Sequence, residues 1–487
     1  MSSIFRSTDP TVWDDVDGII VSETAPSPNI VGSPANIAIL AGQFQRGPAN
    51  VLQEVASIGE FHEKYGKSSY SGNIAIKNKK FGRLRVIRVV AAAAVTASKA
   101  FQDSGGSPAD RITFTAKQGA GAYGNNIQVK IETGSSSGKK YTIRDANVNS
   151  VLPDEVYDNI VITAITSSTF GNSALVTATV NSSVAEPANV AFTNLASGSD
   201  GSVADTDYQT AIAVAEVERA GNFLFLDAYN ATRNGYLKQH AADTTDKMVI
   251  LAGLETDTVA QAIADVANYR DADGRIIYSY PWVETVIEGV TQMVQPASFY
   301  ASLLSQTAPN IDPAKTSNTQ FLSGITNLKR QLKRNDYIQL MAAGISSFEF
   351  DQDIGFVVKS GIVTQIANSS KLTVLRRRMA DYYGDSVARF LKNYQGEVNS
   401  KEKRREVKGA ILAFDDQQIS LGILPSDAEV EGEGKARLID TESLNTATSV
   451  AAGFFKILVK RRIFSSMRFI VFQLEIGESV LVTEVEG

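Results

Sequence analysis

Between about Ser104 and Ser202 the chain changes texture, and that change constrains the fold more than any other stretch does. Gly, Ser, Thr and Asn dominate, charge thins out, and short alternating runs recur at Ile112–Thr115, Ile127–Ile131, Tyr141–Ile143, Val156–Ile165 and Ala174–Val180. Strands at this spacing with Gly/Ser/Asn turns predict an inserted all-β unit ending near Ser197–Gly201. The flanks are patterned differently. Before the insertion, Asn36–Ala41 is a short apolar strand leading into the turn Gly42–Pro48, where glycines permit positive φ and Pro48 fixes the exit. Ser57–Tyr65 suits a helix stopping before Gly66, and Leu84–Val90 reads as strand. After Asp205, helical spacing of Tyr208, Ile212 and Ala215 gives way in turn to strand-like Phe223–Leu226, helical Asn234–Ala242, strand-like Met248–Leu251, a helix over Thr258–Arg270 and a strand at Arg275–Tyr280. That alternation predicts a parallel α/β unit. Further on, Leu322, Ile325, Leu328 and Leu332 predict a helix over Gln320–Leu332. Strands follow near Ser346–Phe350 and Phe356–Val363, then helices at about Met379–Tyr394 and Ser400–Phe414.

Both ends of the chain carry strand-like runs. Ile457–Phe464, Phe469–Leu474 and Val480–Val485 are rich in β-branched and aromatic residues. At the amino end, Gly18–Ser22 is set apart by Asp14, Asp15 and Asp17 before it and Pro26 and Pro28 after it. These runs are expected to act as arms that add strands to neighbouring copies. Ile19, Ile20 and Val21, with Val480, Leu481 and Val482, would be the visiting strands, and Ile457, Val459, Ile470 and Phe472 the receiving sheet.

The chemistry that would mark an enzyme is not legible. Zero cysteines exclude disulfides, thiolate nucleophiles and Cys-ligated metals. The only imidazoles, His62 and His240, sit in no metal-ligand spacing. Gly119, Gly121 and Gly124 spell a GxGxxG, but the next residues, Asn125 to Ile131, read as strand, so a glycine loop between strands is the simpler reading than a dinucleotide site. Gly66-Lys67-Ser68 echoes a phosphate loop, with Phe61 where the first glycine should stand. Asp271–Gly274 resembles a calcium loop whose register puts Tyr269 and Tyr280 at ligand positions, which favours a solvated turn. Asp227 ends a strand where ligands bind in α/β sheets, although a capping role is the plainer one. No catalytic residue, cofactor site or metal site is therefore expected.

Charge points to assembly. The formal balance of 47 basic and 53 acidic residues gives −6, unlike a dedicated nucleic-acid binder. Met1–Gly18 lacks the shape of a signal peptide and no run is long enough to span a bilayer, so folding in the cytoplasm without membrane insertion is expected. On a helix, Lys401, Arg404, Arg405 and Lys408 would form one basic face, either a solvated surface or a seat for an acidic partner. Separate acidic runs at Asp427–Glu433 and Glu475–Glu486 suit head-to-tail association.

Several short motifs, in order, carry a family resemblance. Asn36–Pro48 (NIAILAGQFQRGP), Glu60-Phe61 with Tyr65-Gly66, Phe81–Val89, Gly121–Ile127 (GAYGNNI), Tyr280–Trp282, Gln295–Ala297, Gly324-Ile325, Lys371–Tyr383 and Asp385–Leu391 together resemble the contractile tail sheath proteins of bacteriophages and related injection particles. The stretch Lys77–Gly82 departs from the family pattern before the Arg-Val strand. The resemblance implies a non-enzymatic structural subunit of hexameric rings stacked helically around an inner tail tube protein, capped by baseplate and tail terminator proteins. It would reside in the virion tail after assembly in the host cytoplasm, without direct nucleic-acid contact, and contract from a metastable extended lattice. The expected fold is α/β and α+β multidomain: arm 1–30, core 31–103, inserted β domain 104–202, outward α/β domain 203–309, core 310–476 and arm 477–487. The rivals are an α/β enzyme with an appended β domain and a surface-layer or adhesin-type protein.

Overall fold

The computed structural model describes residues 4–7, 19–22, 29–34, 36–117, 119–218, 222–315, 321–367, 371–430 and 434–468. Its centre is an eight-stranded sheet. In spatial order the strands are Gly355–Val358, Ile345–Asp351, Ile276–Tyr280, Met248–Ala252, Phe223–Leu226, Ile37–Gly42, Arg83–Arg88 and Leu52–Val55. The inner neighbours are parallel throughout, and only the two edge strands run antiparallel. Every residue of the Ile37–Gly42, Phe223–Leu226, Met248–Ala252 and Ile276–Tyr280 strands is buried. Strands covered on both faces need unbroken apolar runs, which is what these sequences supply. Pro296–Gln306, buried along nearly its whole length, lies across five of these strands. Gln295 caps it by accepting from Ser298 N, and Pro296 suits its first turn.

This sheet corrects the expected division. The α/β strands at 223–280 do not form a sheet of their own; they share one sheet and one apolar core with strands from residues 37–88 and 345–358. Parallel partners far apart in sequence leave no local trace of their neighbours, so the pattern identified the strands and not their adjacency.

A second core belongs to two antiparallel sheets. One runs Glu155–Ile160, Lys139–Asp145, Ile127–Thr133, Val190–Asn194; the other runs Val176–Val180, Asp110–Ala116, Ser98–Gln102. Inward residues alternate along them: Ile112 and Phe114 on one strand and Ile127, Val129 and Ile131 on another are wholly buried. The runs expected between 112 and 180 all contain strand, and Ser98–Gln102 and Val190–Asn194 add to them. Bridges Val95↔Ser199 and Ser98↔Ala196 bring entry and exit together.

A third core lies between the helices Val374–Leu391 and Lys401–Ser420, and includes Met379, Tyr383, Phe390, Val407, Ile411 and Phe414. A two-stranded antiparallel ribbon, Arg437–Asp440 with Leu458–Arg461, contributes Ile439.

The helix expected over Gln320–Leu332 does not form among its described residues. Leu322, Ile325 and Leu328 are buried as expected, but Gly324 takes φ +86°, which ends any helix. Leu322 N bonds Phe356 O and Thr326 N bonds Glu284 O, so the segment closes a sheet edge and then pairs Asn327–Leu328 with Val283–Glu284. A stripe of three-and-four spacing records burial here rather than helix.

Candidate functional site

Two buried arginines join the central sheet to the β sheets. Arg46, 1% exposed, comes from the Gly42–Pro48 turn and donates to Asp145 Oδ2 (3.1 Å), the Tyr123 hydroxyl, His62 O (3.0 Å) and Glu63 O (2.7 Å). Arg88 ends its strand and donates to Phe44 O (3.1 Å), Gly47 O (2.9 Å) and Ala120 O (2.9 Å). The GxGxxG segment is therefore a structural joint. Gly119 and Gly121 have φ of +85° and +136°, and a Cβ on Gly119 would meet Gly47 O and Arg88 Nη1. A short 3₁₀ turn, Ala122–Asn126, leads into the Ile127–Thr133 strand, so no helix amino end is offered to a phosphate. Asp200 closes the joint, accepting from Tyr70 Oη (2.7 Å) and Ala122 N (2.9 Å). The Arg-Val strand was visible in the sequence; that Arg88 would read the carbonyls of two turns was not.

The aspartates singled out in the sequence are occupied structurally. Asp227 is buried and accepts from Gln43 N (2.8 Å), Tyr208 Oη (2.7 Å) and Ser71 Oγ. Burial pushes its carboxyl up from the usual carboxylate range, against the pull of those donors. It is a bonded corner, not an open strand-end pocket. Asp271 accepts from Arg275 N, and Asp273 pairs with Lys371, so the calcium-like loop is a braced turn. His240 is buried with neither ring nitrogen bonded. Among the described residues no group of three or more His, Asp or Glu side chains is placed to hold a metal, and no helix is long and apolar enough to cross a membrane.

The Val374–Leu391 helix straps the third core to the sheet through Asp381, which pairs with Arg275, and through Arg378. Arg376 reaches Ser465. Arg377 and Arg275 share the buried Asp381, at 2.6 and 3.1 Å. Arg378 donates to Leu304 O and Thr307 O at the end of Pro296–Gln306, and burial lowers its pKa to about 10. Arginine suits this role because its fork meets several carbonyls or a carboxylate at once.

The proposed basic face is narrower than its spacing suggests. Lys401, Arg405 and Lys408 are exposed on the Lys401–Ser420 helix. Arg404 is not: it is 5% exposed, pairs with Glu442 at 3.3 Å and bonds Asn399. One turn of helix placed it against the third core beside Val407. The ribbon is tied to the helix by Arg437, which pairs with Asp416 at 2.6 Å, while buried Asp415 accepts from Tyr383 Oη (2.8 Å) and lies 3.7 Å from Arg461 and 3.9 Å from Arg437. Val459 lies in the ribbon opposite Ile439, and Ile457 just precedes it. Its strand partner among the described residues is Arg437–Asp440; Ile470 and Phe472 lie outside the described residues, as do Val480, Leu481 and Val482. Ile19, Ile20 and Val21 are in a strand, paired in parallel with Ile4–Ser7 of the same chain.

No family model matches the sequence, and no curated protein is similar to it. Solved structures do match. The sheath tail protein of Listeria innocua aligns at TM-score 0.64 and 15% identity over 85% of this chain and 90% of its own. The sheath tail protein of Desulfitobacterium hafniense aligns at 0.60 and 16% identity over 87% and 94%. The helical sheath of the anti-feeding prophage, in its contracted state, aligns at 0.58 and 12% identity over 95% and 99%. At such low identity it is the path of the backbone that is shared, and the fold of this chain is that of the contractile tail sheath proteins.

Proposed function

We propose that the chain is a non-enzymatic subunit of a contractile tail sheath. It polymerises as hexameric rings stacked helically around an inner tail tube, stores energy in a metastable extended lattice, and contracts to drive the tube through a cell envelope. The observation that carries this reading is the alignment of almost the whole chain with a helical sheath. Baseplate and tail terminator proteins would cap the polymer, and the particle would be a virion tail or a related injection device assembled in host cytoplasm.

Within that assembly the residues at 98–194 form an inserted β domain, and the chain ends are exchanged arms. The two-stranded ribbon Arg437–Asp440/Leu458–Arg461 supports the exchange, because both of its outer edges lack a strand partner among the described residues. Arms from adjacent copies would extend it by strand addition. A head-to-tail contact that combines rotation and rise gives an open helix rather than a closed ring. Negative-stain microscopy of the purified chain tests the function: helical tubes or stacked rings are expected, and uniformly small discrete particles at high concentration would overturn it.

A further inference from the structure

Asp227 closes one strand end, but the adjacent one is open. Beside the carboxyl ends of the parallel Phe223–Leu226 and Met248–Ala252 strands lies a cleft of about 140 Å³, whose walls include Asn230, Asn234, Ala252, Gly253, Asp257 and Asp265. Carboxyl ends of parallel strands are where open α/β sheets bind ligands.

The polar groups there are oxygens in excess of donors. Asp257 Oδ2 accepts from Leu254 N at 2.7 Å, and Asp265 Oδ2 from Tyr278 Oη at 2.7 Å. Neither carboxylate has an ion-pair partner among the described residues. Arg330, the nearby cation, donates instead to the backbone carbonyls of Asp257 (2.7 Å) and Thr256 (2.9 Å). An independent feature lies in the lining. Asn234, 2% exposed on the Ala231–Thr244 helix, donates Nδ2 to Ala252 O at 3.0 Å, which sets the orientation of its amide. Its Oδ1 is then left without a partner, an arrangement native interiors avoid unless a bound group completes it. Gly253 lets Asp257 and Tyr278 approach the backbone closely, because a Cβ would collide with both Asp257 Oδ2 and the Tyr278 hydroxyl.

We propose that this cleft is a divalent-cation site of the calcium type. Asp257 and Asp265 supply carboxylate oxygens, Asn234 Oδ1 supplies the amide oxygen, and water completes the shell. An all-oxygen donor set with two carboxylates suits a hard cation whose coordination is irregular and hydrated. The site has two carboxylates where a tight metal centre gathers three or more, so affinity would be moderate and set by how firmly the Gly253–Asp257 turn is held.

Terbium provides the probe, being a hard cation with the same preference for oxygen. Trp282, whose Nε1 donates to Gly253 O at 2.9 Å, is placed to sensitise its emission. With chelator-treated full-length protein, saturable emission on excitation at the indole is expected, displaced by calcium and weakened about tenfold in Asp265→Asn and in Gly253→Ala. The thermal midpoint of the unsubstituted chain should rise with calcium relative to chelator. That measurement stands even if a variant fails to fold. Emission that never saturates, emission unchanged by both substitutions, or an unaltered midpoint at millimolar calcium would each overturn the proposal and leave the cleft to water.

Discussion

Arg46 shows how much a single buried side chain can carry in this fold. Its guanidinium sits in the interior with Asp145, from a strand of the second core, and with two carbonyls at the end of the Ile58–Tyr65 helix. Removing one partner of a buried pair leaves an uncompensated charge, at a cost of about 3–5 kcal/mol. Arg46→Met should lower the denaturation midpoint by an amount of that order, and Arg46→Met with Asp145→Asn should recover part of it; equal loss in the single and double variants would mean that the pair is not the cause. His240 sets a pH dependence. Burial, reinforced by the charge of Lys247, lowers its pKa to about 4 from 6.5. Because the folded value is the depressed one, the folded chain binds fewer protons than the unfolded one between these values. The associated stability is complete above about pH 6.5 and is lost as pH falls toward 4, amounting to about 3 kcal/mol. Urea titrations from pH 7 to 4 should show this slope, and His240→Leu should flatten it.

At the scale of elements, the Lys401–Ser420 helix separates two roles that its sequence superimposes. Arg404 anchors it, while Lys401, Arg405 and Lys408 are exposed. Substituting those three by Glu should leave the circular dichroism spectrum and melting temperature unchanged but reduce co-assembly with tube protein in a sedimentation assay; undiminished co-sedimentation would make the face a solvated one. Arg404→Glu should behave oppositely, destabilising the helix pair by placing a carboxylate near Glu442. The arms make a parallel prediction. Deleting residues 1–25 together with 477–487 should leave a folded, soluble subunit that forms no polymer, whereas tubes of normal length after both deletions would remove strand exchange from the account. The ribbon is the element to watch, because Arg437 ties it to Asp416 of the helix while its outer edges carry no strand among the described residues.

The molecule as a whole divides by core rather than by sequence order. A fragment spanning 95–201 has its own buried cluster, including Phe114, Val129 and Tyr141, and paired ends. It should fold alone, with a cooperative thermal transition; a disordered spectrum would show that the Arg46 and Arg88 contacts are needed to form it. No equivalent cut exists at 203–309, since those strands lie in the middle of the central sheet. What could be read without coordinates followed from local physics. Alternation marked the β strands, unbroken apolar runs marked the buried parallel ones, Ser57 and Thr258 cap helices where such residues should, and the residues after Gly124 ruled out a nucleotide loop. The partnerships were not legible, because they join residues that are distant in the chain. Ile37–Gly42 between Phe223–Leu226 and Arg83–Arg88, Arg404 turned inward, Gly324 breaking an otherwise helical stripe, and Asn234 lining one cleft with Asp257 and Asp265 each depend on what another segment brings alongside. The sequence by itself determined most of the element types and the lack of enzyme-like motifs, since both are written in spacing and residue chemistry; only the tertiary structure decided adjacency and burial, and turned the Gln320–Leu332 stripe away from helix, since those arise from packing between distant parts of the chain.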